Sequence, residues 1–290
     1  MKNKAFLLSG AIATALAAYF CWKRLAGIDP MTGLTGDKSN ITLLFIMLAL
    51  VLLSWGALAM IRLPHSSKVK TSSEKTREKE KAPVYADSLI DRAVPAYAAA
   101  FYIAAFLLWL MAAIFFILYA MRQPGVISMI LALASLLTSV SFVRYVLIHI
   151  RRRTTSSDAV LLPMPLIFTI VFCINDYLSA MIQPQMVSYY HEILADIAIL
   201  LSFYGFISHF FGRNPRRGNL FFALTAASFA AVCYFSQAAI FFFDKAALET
   251  VDGSLYIFIA KLLFFAAASV FSVAYAIILW YAPKKNKKGA

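Results

Sequence analysis

Charge is scarce in this chain. Only 14% of its 290 residues are charged, against about a quarter in a soluble globule, which excludes a water-soluble enzyme or binding domain. Strict alternation of apolar and polar residues is also missing. The apolar segments run unbroken, so a transmembrane β-barrel is excluded. Cysteine is sparse: Cys21, Cys173 and Cys233 fall in or beside apolar segments without CxxC or metal spacing, and they read as small buried hydrophobes. The chain contains no P-loop, dinucleotide fingerprint or nucleophile elbow. No motif calls for a cofactor, and the balance of features points away from an enzyme.

Near-misses carry the same message. His191-Glu192 followed by Asp196 resembles a zinc-protease helix, but H-E-x-x-H needs a histidine at the position held by Ala195. A mixed N/O metal site from Asp176, His191, Glu192 and Asp196 is the weaker reading, and no metal is assigned. His149 and His209 both fall near the same end of their spans and form the one conceivable haem pair. Lys261 in the last span, with carboxylates nearby, invites a retinal Schiff base, but it sits too shallow and follows too many spans.

What the chain has in quantity is hydrophobic length, at 62% of residues. Segments of 18 or more mostly apolar residues predict an all-α, polytopic membrane bundle with about eight transmembrane helices. The expected spans are roughly 5–20, 41–61, 96–119, 126–150, 161–182, 187–211, 220–243 and 255–281. They divide into a two-span hairpin (1–61), a charged linker (62–95), a six-span core (96–283) and a basic tail (284–290). The linker has no apolar face in its middle and reads as solvated. Its end, around Val84 to Val94, suits a short interfacial helix. The first segment also resembles a secretory signal ending in Ala15-Leu16-Ala17; we expect an uncleaved anchor.

The net charge of +13 reflects topology and not nucleic acid. Lys2, Lys4, the linker, Arg151–Arg153, Arg213, Arg216, Arg217 and the lysine tail all fall on one side of an eight-span arrangement. The positive-inside rule makes that side cytoplasmic, with both termini, and the expected location is the cell membrane. The turn at Pro184 then faces outside. Asp176 lies eight residues before it and Glu192 eight after, so both should sit about 12 Å below the turn. Gln237 and Lys261 fall at a similar depth on the last two spans, and Asp196 lies one helical turn deeper than Glu192.

Carboxylates inside a span each cost about 2.5–3.5 kcal/mol near mid-bilayer, so this layer needs partners or a purpose. One reading is a pocket open to the outside, formed by Asp176, His191, Glu192, Asp196, Gln237 and Lys261, for a small cationic or zwitterionic solute. The competing reading is structural, with Lys261 pairing carboxylates in a sensory, scaffold or accessory protein. Alanine runs at Ala11/Ala15, Ala96/Ala100/Ala104 and Ala223/Ala227/Ala231 are expected to let helices approach closely, or to dock a partner subunit. Arg144 is expected to snorkel to the cytoplasmic headgroups.

Overall fold

The computed structural model describes residues 2–27, 38–62, 96–151, 158–182, 190–210, 216–243 and 255–281. The turn at Pro184, the body of the charged linker with the interfacial helix expected at its end, and the basic tail lie outside the described residues. Those described are almost all helical, with no strand among them: α1 (Lys2–Ala26), α2 (Lys38–Arg62), α3 (Ala96–Arg122), α4 (Val126–Arg151), α5 (Asp158–Leu161), α6 (Met164–Ile182), α7 (Tyr190–Phe210), α8 (Arg216–Phe243) and α9 (Leu255–Tyr281). Seven of these, all except α5 and α6, are long and apolar enough to cross a membrane. The remaining long helix, α6, has 19 residues, about 28 Å of helix against a hydrocarbon core of about 30 Å. The fold is the multi-pass helical bundle that the apolar segments predict.

Two turns show how the chain reverses. Between α3 and α4, the Gln123 amide donates to the Tyr119 carbonyl at 2.8 Å. The Ser128 hydroxyl, in the first turn of α4, reaches back to accept from the Gly125 amide at 3.0 Å, closing the helix start as a capping box does. Between α4 and α6 the chain makes the short α5 and then meets Pro163 and Pro165. Prolines are tolerated in a first helical turn, but they leave carbonyls behind them without amide partners. Helix α4 supplies the donors: Ser141 Oγ to the Leu161 carbonyl at 2.5 Å and Tyr145 Oη to the Leu162 carbonyl at 2.6 Å. Arg144 donates from Nε to Asp158 Oδ1 at 2.7 Å. Asp158 is buried, so Arg144 does not simply snorkel; it pins the start of α5.

Helix α9 is the pivot. It packs most extensively against α3 and α8 and also touches α7, while α6 lies between α4 and α7, and α1 and α2 both lean on α8. Lipid is as apolar as leucine, so close packing and not water exclusion must hold such helices together. Small residues allow this along α8 and α9, where Ala223, Ala226, Ala230, Ala260, Ala267 and Ala274 are fully buried. Ser269 Oγ donates to the Ala227 carbonyl across that interface at 2.9 Å. Among the expected ridges, Ala223 and Ala227 do face a neighbour, but Ala100 and Ala104 are exposed, as are Ala11 and Ala15. On α1 the packing stripe is Gly10, Ala13, Ala17 and Cys21 instead. Gly10 admits the Trp55 ring so closely that a Cβ there would lie 2.7 Å from it. Trp55 in turn donates from Nε1 to Ser228 Oγ at 2.9 Å, tying the first two helices to α8.

At mid-depth the space between α3, α4, α6, α7 and α9 is filled with rings. Trp109 meets Phe142, Phe168 and Phe264 at centroid distances of 5.2, 5.1 and 5.4 Å. Phe271 meets Phe203, Phe206 and Phe142 at 4.9, 5.1 and 5.3 Å. Edge-to-face and offset ring contacts are worth about 0.5–1.5 kcal/mol each beyond the area they bury. This ring cluster separates two polar ends: one where α6 hands over to α7, here the apex end, and one where α4 stops and α8 begins, here the basic end.

Candidate functional site

The apex end holds the charged residues. Asp176 sits six residues before the end of α6, Glu192 in the first turn of α7, Gln237 six before the end of α8, and Lys261 six after the start of α9. Asp176, Gln237 and Lys261 thus stand six residues from their helix ends and Glu192 two, and the helices bring the four side chains into contact. Lys261 Nζ lies 3.3 Å from Asp176 Oδ1 and 3.5 Å from Glu192 Oε2. Gln237 Nε2 donates to Glu192 Oε1 at 3.1 Å, and His191 Nε2 lies 4.0 Å from the same oxygen. Each of these side chains is 3% exposed or less, so the cluster is withdrawn from both lipid and water.

Asp196 completes the layer one turn further along α7. It is fully buried, and neither oxygen meets a hydrogen-bond donor among the described residues. It interacts electrostatically with Asp176, Glu192 and Lys261, but Lys261 is already held by the other two. Gln237 likewise spends its amide nitrogen on Glu192 and leaves Oε1 buried without a donor.

One member was not foreseen. Arg24, near the end of α1, is only 2% exposed and interacts electrostatically with Glu192. Beside Lys23 at the end of the first apolar segment, it reads in the sequence as a charge beyond the membrane. Its signal was the α1 packing stripe: continuing Ala13, Ala17 and Cys21 by one more turn lands on Arg24 and Leu25, and both are buried. Cys21 shares a hydrogen bond with Ser236, the neighbour of Gln237, which fixes the end of α1 against α8. Arg24 Nε, Nη1 and Nη2 are all buried with no acceptor among the described residues. The layer therefore sets three carboxylates against two fixed cations, and a proton on His191 would balance it.

No protein-family model, curated protein or solved structure matches the chain. The geometry has to speak for itself.

The other chemistries fare differently. Among the described residues, no three histidine, cysteine, aspartate or glutamate side chains gather in a way that could hold a metal ion. His209 is buried at the basic end, with Nδ1 3.5 Å from Tyr275 Oη; the side chain of His149 lies outside the described residues. The Tyr275 hydroxyl also donates to the Gly205 carbonyl at 3.0 Å, and Asn219 Nδ2 donates to the same oxygen at 3.1 Å. The cysteines are unbonded to one another, with Cys21 and Cys233 buried and Cys173 half-buried.

Proposed function

We propose that the protein binds a small cationic or zwitterionic solute in the charged layer of α6–α9, as a solute-binding or transport protein of the cell membrane. The observation that carries this reading is Asp196. An ionised carboxylate removed from water and left without a partner costs several kcal/mol. Such a group is neutralised by a proton or by an incoming cation. Lys261, the cation within reach, is shared between Asp176 and Glu192. With the turn at Pro184 facing outside, as the distribution of lysine and arginine favours, the layer takes its ligand from the exterior.

The test is a thermal-unfolding screen of purified protein against metal ions, polyamines, amino acids and quaternary amines. A true ligand raises Tm with concentration, as mass action requires for a species that binds only the folded form. The response should vanish in Asp196→Asn while the variant stays folded. A panel in which no shift depends on Asp196 would overturn the reading. The layer would then be structural, in an accessory or scaffold protein. One observation favours that alternative: Lys261 and Gln237 already satisfy much of Glu192.

A further inference from the structure

We infer that the ligand of this layer is a zwitterion carrying an ammonium and a carboxylate, as in an α-amino acid or betaine, with Arg24 of α1 holding its carboxylate. The inference rests on the solute-binding reading and narrows it to one ligand class. A simple cation would satisfy Asp196 and the Gln237 oxygen. It would do nothing for Arg24, whose donors Nε, Nη1 and Nη2 are buried without an acceptor among the described residues.

A guanidinium presents its N–H groups as a planar fork matched to a carboxylate, which it binds through two parallel hydrogen bonds. Burying that fork unpaired is expensive. Glu192, the carboxylate that interacts with Arg24, already accepts from Gln237 and Lys261. The unmatched groups are thus a cationic fork on α1, a carboxylate on α7 and a neutral amide oxygen on α8, and Glu192 interacts with both Arg24 and Asp196. Each half of a short zwitterion meets what one side lacks: its carboxylate the Arg24 fork, its ammonium Asp196 and Gln237 Oε1. The packing of α1 on α8, fixed by Cys21 against Ser236, then makes the N-terminal hairpin part of the site.

Matched pairs of ligands test this directly: glycine and methylamine, leucine and isopentylamine, lysine and cadaverine, tyrosine and tyramine. Apparent affinities are read from Tm shifts of the full chain in phosphatidylglycerol nanodiscs. In the wild type at least one amino acid should bind roughly tenfold or more tightly than its amine, the worth of one charge-assisted hydrogen bond. Arg24→Gln should remove that advantage and strengthen amine binding, because the layer loses a cation. If Arg24→Gln does not fold, Arg24→Lys keeps the charge without the fork, and the amino-acid advantage should still shrink. Equal binding of acid and amine to the wild type, or a ratio unmoved by either variant, overturns the zwitterion while leaving a cation site standing. Silence from every ligand, metal ions included, removes the site itself. Phosphatidylethanolamine shares the same ammonium-and-anion chemistry. An amino-acid shift suppressed in nanodiscs of that lipid would identify a headgroup as the natural zwitterion.

Discussion

The two polar ends of the bundle solve the same problem in opposite ways. At the basic end, Asn219 and Tyr275 converge on one carbonyl, that of Gly205, with His209 beside the tyrosine hydroxyl. Asn219 and Tyr275 are neutral groups, and each spends a donor on that acceptor. At the apex end the groups are ionic, and the pairing stops short: Lys261 serves two carboxylates, while Arg24, Asp196 and Gln237 Oε1 have nothing to bind among the described residues. A polar cluster kept only for helix register has every reason to resemble the first. The difference suggests that satisfaction, not polarity, distinguishes a joint from a site.

The sharpest way to break this comparison concerns which end faces out, and its effect is all-or-none. Gln185→Cys and Gly253→Cys, both in segments beyond the apex end, should react with an impermeant thiol reagent on intact cells, whereas Ser73→Cys should not. The reverse pattern would turn the bundle over. Next in size is Lys261→Met. It strands Asp176 and Glu192 together, and removing one partner of a buried pair typically costs about 3–5 kcal/mol. Adding Asp176→Asn should recover much of the loss; a double variant showing no more than the sum of the single effects would mean the pair is not coupled.

Gly205→Ala probes the other end. A Cβ there would lie 2.9 Å from Asn219 Oδ1, so the cluster must shift at a cost of about 1–3 kcal/mol, without altering any ligand response at the apex. The smallest effect is the most telling. Asp196→Asn removes a charge that nothing balances, so Tm without ligand should stay level or rise. A large fall would show that Asp196 holds the bundle together after all.

Depth was legible in the sequence; direction was not. Counting residues from a turn at 1.5 Å each fixes how far a side chain lies below the membrane surface. That placed Asp176, Glu192, Gln237 and Lys261 in one layer before any contact was known. Which side of a helix faces its neighbours depends on amphipathicity, and a helix between lipid and an equally apolar core has little. So the spacing of Ala11 and Ala15 does not mark the face of α1 that packs within the bundle, which Gly10, Ala13 and Ala17 form. The same uncertainty hid Arg24, which belongs to that stripe but sits beside Lys23 in a flank that reads as solvent. Arg144 departs from the snorkelling expectation for a different reason. Its partner Asp158 lies 14 residues on, past a break that the two prolines signal without saying where the chain goes next.

The ring cluster of Trp109, Phe142, Phe168, Phe203, Phe264 and Phe271 also has an electrical meaning. A membrane potential falls across the part of a protein that holds no mobile charge, and these rings occupy that part between the two polar ends. Moving one elementary charge through the whole drop involves about 2.3 kcal/mol per 100 mV. A charge moving from the apex end to Lys261 and Asp176 would stop before the rings and cross only the part of that field on its own side of them. The six aromatic side chains thus keep the charges of the apex end electrically apart from the groups of the basic end.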